Sequence, residues 1–155
     1  MEYPAPISPP PMEGIASAQQ SGAMQIVRTQ HVYIVEDSAP VRARLAESLA
    51  NLEGVLLVGE AASAGEAIAG ILRTRPDTVL LDLYLRGRTG LEVLRAVHAS
   101  HPEIAFVVLT NHSDSQYRRA CLDAGAAYFL DKSRDFERVP AVIGEIAASH
   151  PEIQQ

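Results

Sequence analysis

The chain has 155 residues, of which 47% are hydrophobic and 21% charged, and its mean hydropathy is close to zero, as in a globular domain of ordinary size. Its net charge of −6 argues against binding to a phosphate backbone, so nucleic acid is not an expected partner of this chain. One cysteine excludes an internal disulfide, no apolar run has the length of a membrane span, and the start resembles no signal peptide; we therefore expect a cytoplasmic protein without membrane contact.

The beginning of the chain is rich in proline, with five prolines among its first eleven residues. Small and polar residues follow, and such a stretch buries too little apolar surface to offset the entropy lost on ordering. We predict a disordered tail over residues 1–28, a single domain over 29–149 and a short C-terminal tail over 150–155. A mobile extension and a docking segment for an aromatic groove both fit the composition of the first tail.

Beyond the tail, five short apolar runs alternate with amphipathic segments. The runs are rich in leucine and β-branched residues, as in strands covered on both faces, and comprise residues 31–35, 55–58, 78–83, 104–110 and 127–130. Apolar residues spaced by three and four positions indicate helices between and after these runs. The sets that share a helix face are Val41-Leu45-Leu49-Leu52, Leu91-Leu94-Val97, Tyr117-Cys121-Ala124 and Val139-Ile143-Ile146. Pro140 requires the last helix to begin shortly before it. The alternation predicts an α/β fold, a doubly wound parallel sheet of five strands with helices on both faces.

Polar residues stand where these predicted strands end. Glu36 and Asp37 follow the first strand, Asp82 lies near the end of the third, Thr110 ends the fourth, and Lys132 follows the fifth. Open parallel sheets carry their sites at the carboxyl ends of the strands, so we expect these five side chains to converge. Three carboxylates repel one another unless a cation lies among them, and hard oxygen ligands favour Mg²⁺ or Mn²⁺. Asp82, in an otherwise apolar run, then becomes a candidate to attack a phosphoryl group.

The set Glu36-Asp37, Asp82, Thr110 and Lys132 resembles the five-point signature of the response-regulator receiver family of two-component phosphorelay systems. The segments LDLYLRGRTGLEVL and GAAYFLDK also resemble that family, and the resemblance covers about residues 29–149. It implies a flavodoxin-like sheet with strand order 2-1-3-4-5. It also implies a signalling domain that catalyses only its own phosphoryl transfer and dephosphorylation.

The resemblance also implies a role for each of these residues. Asp82 would accept the phosphoryl group, and Thr110 and Lys132 would contact its oxygens. Asp37 would bind the metal directly and Glu36 largely through water, with the main-chain carbonyl of Tyr84 as a further ligand. Thr110 and Phe129 would form the switch, for which plain core packing of Phe129 is the alternative. The side chains of Tyr84 and His112 would border the phosphorylation site.

The chain departs from the family pattern at Arg86, at Ser133 and at Tyr84 and His112, which are bulky, polar choices at the two positions bordering the site. Arg86 stands where many members have proline in the loop after the acceptor, and Ser133 replaces the proline that commonly follows the lysine. Many members have a cis bond at the position of Ser133, so the geometry of the bond between Lys132 and Ser133 is left open. Tyr128 stands beside Phe129, and strand alternation predicts that the two face opposite sides of the sheet.

Two other classes of α/β protein fit the residues less well. A phosphatase of the haloacid dehalogenase type needs a second aspartate two residues after the nucleophile, where this chain has Tyr84. A nucleotide or flavin binder needs a phosphate-cradling loop after the first strand, where this chain has EDSAP, whose two carboxylates repel phosphate.

The family resemblance implies partners as well. A sensor histidine kinase or a histidine phosphotransfer protein would supply the phosphoryl group. An output protein or a second copy of the chain would bind the face formed by the fourth helix, the last strand and the last helix. We expect either a single-domain receiver or a fragment of a longer regulator.

Overall fold

The computed structural model describes residues 29–111 and 115–149. The strands in this part of the chain are β1 (Gln30–Val35), β2 (Val55–Ala61), β3 (Thr78–Leu81), β4 (Tyr84–Leu85), β5 (Arg88–Thr89), β6 (Ala105–Thr110) and β7 (Tyr128–Asp131). The helices are α1 (Ala39–Ala50), α2 (Ala64–Thr74), α3 (Gly90–Ser100), α4 (Ser115–Asp123) and α5 (Val139–Ala148), with a 3₁₀ turn at Phe136–Arg138 before α5.

Five of the strands form one parallel sheet in the order β2-β1-β3-β6-β7. Because β6 and β7 are the fourth and fifth of the predicted strands, this is the expected order 2-1-3-4-5, and the predicted fold class is confirmed. The register pairs Leu81 of β3 with Val35 on one side and with Val108 on the other. The carboxyl ends of the central strands therefore lie side by side at one edge of the sheet.

Apolar residues cover both faces of the sheet. Leu45 and Leu49 of α1 and Ile143 of α5 pack on one face against Val32, while α2, α3 and α4 pack on the other through residues such as Ile71 and Cys121. Side-chain alternation assigns neighbouring strand residues to opposite faces. Phe129 accordingly lies in the α2–α4 layer and Tyr128 packs against the α1–α5 layer, which confirms the predicted alternation.

The helix faces follow the predicted spacing, except that Leu52 and Ala124 lie just beyond the ends of α1 and α4. Leu94 and Val97 of α3 are buried, and α5 begins at Val139, immediately before Pro140, as predicted. Tyr117 shares a face of α4 with the buried Cys121, but 39% of its surface remains exposed because its ring lies at the edge of the core.

A two-stranded antiparallel ribbon, β4 and β5, follows β3 and was not predicted. Its strands are two residues long, and Tyr84 pairs with Thr89 across it. Gly87, at a φ of 68°, occupies the turn between the strands, where a left-handed backbone favours glycine. A ribbon this short carries too few residues for strand periodicity to reveal it.

The predicted tails, residues 1–28 and 150–155, lie outside the described residues, as does His112. Within the described ranges, no helix has both the length and the apolar character needed to cross a membrane.

Candidate functional site

Main-chain hydrogen bonds continue the parallel ladder past the strand ends and fix the residues that follow. The amide of Glu36 donates to the carbonyl of Ala61 at 3.0 Å, and the amide of Asp82 donates to that of Val35 at 3.0 Å. The amide of Lys132 donates to the carbonyl of Thr110 at 2.8 Å. The side chains at the carboxyl edge therefore stand on a continuous hydrogen-bonded backbone rather than on free loops.

The ammonium of Lys132 bridges two buried carboxylates. Its Nζ donates to Oε1 of Glu36 at 2.8 Å and to Oδ2 of Asp82 at 3.0 Å. Glu36 is only 2% exposed and Asp82 only 7%. Three residues from three separate strand ends, predicted to converge, are thus in direct contact.

Burial sets the electrostatics of this contact. It raises the pKa of the Glu36 carboxyl, and the negative charge of Asp82 adds to the rise, while hydrogen bonds from Lys132 and from the amide of Ser38 oppose it. Burial alone would lower the pKa of Lys132. The hydrogen bonds and negative charges of Glu36 and Asp82 outweigh that effect, so the pKa of Lys132 lies above its usual value and the ammonium stays charged.

Carboxylate oxygens of Glu36, Asp37 and Asp82 lie within 4.8 Å of one another. Three hard oxygen donors at this spacing fit Mg²⁺ or Mn²⁺, which bind few protein ligands and retain water. Glu36 is already engaged, since Oε1 accepts from Lys132 and Oε2 accepts from the amide of Ser38 at 3.0 Å. Asp37 is half-buried and borders the same cluster. The donor set therefore fits the predicted division between a direct ligand, Asp37, and one acting through water, Glu36.

Thr110 and Phe129 lie on the same face of the sheet. Thr110 is fully buried at the end of β6. Phe129 pairs with Val108, which lies two residues before Thr110 on the same strand. Phe129 is 6% exposed, with the guanidinium of Arg118 5.7 Å from the centre of its ring and donating to its carbonyl at 3.4 Å. The predicted switch residues are thus neighbours on adjacent strands, and α4 contacts the aromatic one directly.

Tyr84 borders the site through its main chain, because its amide lies 3.4 Å from Oδ1 of Asp82. Its side chain is 37% exposed and points away to α4, where its hydroxyl is hydrogen-bonded to that of Tyr117. The predicted ligand role of its carbonyl is not tested by these contacts, and His112, the other bordering residue, lies outside the described residues.

Four further residues support the site and were not singled out from the sequence. Arg42 donates to the carbonyl of Glu36 at 2.6 Å and pairs with Glu60 at 3.2 Å. Ser38 caps α1, and its position directly before Ala-Pro is a recognisable helix start.

The loop after Lys132 is fixed without proline. Oδ1 of Asp131 accepts hydrogen bonds from the amide and hydroxyl of Ser133 and from the amide of Arg134. Gly90 is the fourth; it packs against the main chain of Asp82.

The chain is similar to known proteins over most of its length. A family model for the response regulator receiver domain matches residues 32–144. Response regulator GacA of Pseudomonas viridiflava is 35% identical over 101 residues, which are 65% of this chain and 47% of that protein. Response regulator GacA of Pseudomonas aeruginosa is 30% identical over 128 residues, which are 80% of this chain and 60% of that protein. The chain thus spans about half to three fifths of the length of these curated relatives.

Solved structures agree with the sequence comparisons. The crystal structure of a two-component response regulator of the LuxR family from Aurantimonas sp. SI85-9A1 has a TM-score of 0.74 and 30% identity, covering 82% of this chain and 94% of that one. The signal receiver domain of the putative response regulator NarL from Mycobacterium tuberculosis has a TM-score of 0.73 and 25% identity, covering 78% and 98%.

Proposed function

This chain belongs to the response regulator receiver domain family, and on that premise we propose that Asp82 is the residue that accepts a phosphoryl group. The observation that carries the proposal is the contact of one ammonium, that of Lys132, with both Glu36 and Asp82 at the carboxyl edge of the sheet. A carboxylate that is 7% exposed is costly to bury unless cations compensate its charge. The same compensation is what a phosphoryl group on Asp82 would require.

Glu36, Asp37, Asp82 and the main-chain carbonyl of Tyr84 would hold Mg²⁺ or Mn²⁺ beside the acceptor. The spacing of the three carboxylates supports this assignment. When bound, the metal supplies positive charge that offsets the charge of the phosphoryl oxygens during transfer. Lys132 supplies a second positive charge, since its Nζ contacts both Glu36 and Asp82.

The phosphoryl donor in this proposal is a phosphohistidine of a sensor histidine kinase or of a histidine phosphotransfer protein. A carboxylate oxygen of Asp82 attacks the phosphorus, and the bond from phosphorus to the imidazole nitrogen breaks with its electron pair left on nitrogen. The imidazole then takes a proton from solvent. Lys132 donates to the transferred phosphoryl group, and Thr110 contributes its hydroxyl.

Thr110 and Phe129 would carry the signal from the acceptor to the surface. Their position on one face of adjacent strands, with Arg118 of α4 against Phe129, supports this coupling. Drawing Thr110 towards the phosphoryl group would shift a pre-existing equilibrium at the face formed by α4, β7 and α5. An output protein or a second copy of the chain would read that face.

The proposal is tested by incubating the full chain with acetyl phosphate and Mg²⁺ and measuring the intact mass. We expect one added phosphoryl group in the wild-type protein and in Asp123→Asn, whose carboxylate lies on the exposed end of α4. We expect none in Asp82→Asn, which keeps the shape of the side chain and loses the attacking oxygen, and none in the presence of EDTA. Labelling of Asp82→Asn at the wild-type level would refute the assignment.

A further inference from the structure

Arg42 connects the first helix to the acidic segment that follows β1. It lies in the first turn of α1, and its Nη1 donates to the carbonyl oxygen of Glu36 at 2.6 Å. Its Nε lies 3.2 Å from Oε1 of Glu60 on β2, and only 23% of the Arg42 side chain is exposed. One guanidinium is therefore held between a main-chain oxygen at the end of β1 and a carboxylate on the neighbouring strand.

The carbonyl that Arg42 contacts belongs to the peptide group between Glu36 and Asp37. Because a peptide group is planar, a bond that orients this carbonyl also orients the N–H of Asp37 and the position of its Cα. On the other side of Asp37, the amide of Ser38 donates to Oε2 of Glu36 at 3.0 Å. Both peptide groups that flank Asp37 are thus fixed by hydrogen bonds, one of them through Arg42.

Glu60 holds the other edge of the guanidinium. The register pairs Glu60 with Ile34, whose side chain packs in the α1–α5 layer, so Glu60 lies on the side of the sheet that α1 covers. A guanidinium is planar and rigid and can donate in two directions at once. Fixing one of its edges on Glu60 therefore fixes the direction in which the other edge donates to the Glu36 carbonyl.

We infer that Arg42 is a positioning residue for Asp37, the proposed direct metal ligand, and that Glu60 braces it. The inference rests on the proposed function, in which Asp37 binds Mg²⁺ or Mn²⁺ beside Asp82. A residue that orients a metal ligand through a hydrogen bond strengthens metal binding without touching the metal. Metal affinity in this chain then depends on a contact with β2, a strand that supplies none of the proposed ligands.

The charge of Arg42 predicts the opposite effect from its hydrogen bond. A cation close to three carboxylates repels a divalent metal, so deleting the charge alone would tighten metal binding. Deleting the bond to the Glu36 carbonyl releases the Asp37 main chain and weakens it. The direction of the change therefore distinguishes positioning from electrostatics.

The first test measures Mn²⁺ binding to the full chain without a phosphoryl donor, from the electron paramagnetic resonance signal of free Mn²⁺. Arg42→Met keeps the apolar stem of the side chain and removes both donors. We expect it to bind Mn²⁺ about tenfold more weakly than wild type, the low end of the effect of residues that orient metal ligands. An affinity equal to that of wild type, or tighter, would overturn the inference.

Arg44→Met is the matched control, because it deletes one positive charge from the same helix. The guanidinium of Arg44 lies over the ring of Phe136, 4.1 Å from its centre. We expect this variant to bind Mn²⁺ with wild-type affinity. A loss as large as that in Arg42→Met would overturn the inference, since it would show that any cation of α1 has the same effect.

Glu60→Met tests the brace. It should weaken Mn²⁺ binding less than Arg42→Met, because the bond to the Glu36 carbonyl can still form. The double variant has the net charge of wild type, so pure charge effects would cancel and restore the affinity. We expect it instead to match Arg42→Met, because Glu60 acts only through Arg42. Wild-type affinity in the double variant would contradict the positioning role.

A second measurement needs no metal. In EDTA, we expect the amide of Ser38 to exchange faster in Arg42→Met than in wild type, while the amides of β6 exchange at the wild-type rate. An unchanged rate at Ser38 would overturn the inference. A rise of the same size in β6 would overturn it as well, since it would identify a general loss of stability.

Labelling by acetyl phosphate gives the third readout. Arg42→Met should need about tenfold more Mg²⁺ for half-maximal labelling and should reach the wild-type rate at saturating Mg²⁺. A lower maximal rate with unchanged Mg²⁺ dependence would overturn the inference. Because Mn²⁺ binding and amide exchange require no phosphoryl donor, a failure of Asp82 to accept a phosphoryl group is distinguishable from a failure of Arg42 to position Asp37.

Discussion

Gly90, the first residue of α3, lies so close to the main-chain carbonyl of Asp82 that a methyl group at its Cα would overlap that oxygen. Its own amide donates to the carbonyl of Leu83 at 2.6 Å. Glycine at this position lets α3 begin directly against the segment that carries the proposed acceptor. The packing of a helix start thus helps to determine where the reactive carboxylate stands.

Gly90→Ala is therefore expected to lower the free energy of unfolding by about 1–3 kcal/mol, the usual range for overpacking, and to reduce labelling by acetyl phosphate. Gly65→Ala is the control, because nothing lies within 4 Å of a Cβ added there and alanine favours the helix. Urea unfolding of the two variants and of wild type measures the difference. Equal stability of the two variants would contradict the close approach to Asp82.

Lys132→Ala removes the cation between two buried carboxylates. In EDTA at neutral pH we expect the free energy of unfolding to fall by about 2–4 kcal/mol, since the carboxylates lose their compensating charge. Mg²⁺ should restore part of that loss, because it supplies charge to the same cluster. Arg134→Ala, an exposed change on the same loop, serves as control in urea unfolding with and without Mg²⁺. A Lys132 variant as stable as that control would argue against this account.

Tyr84→Asn removes the ring of a residue whose side chain the family resemblance predicts to border the acceptor. We expect loss of label to accelerate between about 10- and 100-fold, because small changes in the position of the attacking group alter rates by that order. His112→Ala, at the other position predicted to border the site, should change the rate less. Label decay is followed by intact mass at fixed Mg²⁺. An unchanged or slower decay in Tyr84→Asn would exclude a shielding role.

Phosphorylation should change amide exchange across α4, β7 and α5. The change requires Thr110, so in Thr110→Ala we expect label on Asp82 without the altered exchange. Exchange measured by mass spectrometry, with and without acetyl phosphate, reports both outcomes. Helix α2, which follows β2 at the opposite edge of the sheet from β7, serves as the internal reference. Identical exchange over residues 115–145 in the phosphorylated and free wild-type protein would rule out the proposed coupling.

Cys121 offers a test of pH dependence away from the acidic cluster. Burial raises the pKa of its thiol to about 11 from an ordinary 9.0, with the charge of Arg95 offsetting part of the rise. A raised pKa means that folding favours the neutral thiol, so this stabilisation is complete below pH 9.0 and is lost as the pH rises through about 11.

At pH 8 the thiolate fraction of Cys121 should therefore be about 100-fold lower in the folded than in the unfolded protein. The ratio of these thiolate fractions is obtained from the rates of alkylation by iodoacetamide in buffer and in concentrated urea, each measured between pH 7.5 and 10. A native rate that equals the rate in urea at pH 8 would show that the thiol is not protected.

The sequence by itself determined the order of the elements and the residues at the carboxyl edge. Short apolar runs identify strands covered on both faces, and parallel strands end at one edge, so the convergence of Glu36, Asp82 and Lys132 follows from the sequence. Residue type then indicated their chemistry, because carboxylates beside an ammonium suit a metal and a phosphoryl group. Periodicity likewise assigned Phe129 and Tyr128 to opposite faces.

Only the tertiary structure decided which side chains touch across these elements. Periodicity assigns a residue to a face but does not select its rotamer or its partner, so neither the bond between Tyr84 and Tyr117 nor the reach of Arg42 to the Glu36 carbonyl follows from spacing. The ribbon of β4 and β5 is too short to produce a sequence pattern. From the sequence, Gly90 is an ordinary helix start, and only the folded chain shows that the carbonyl of Asp82 packs against it. Such contacts depend on how separate elements pack, and that packing is a property of the folded chain as a whole.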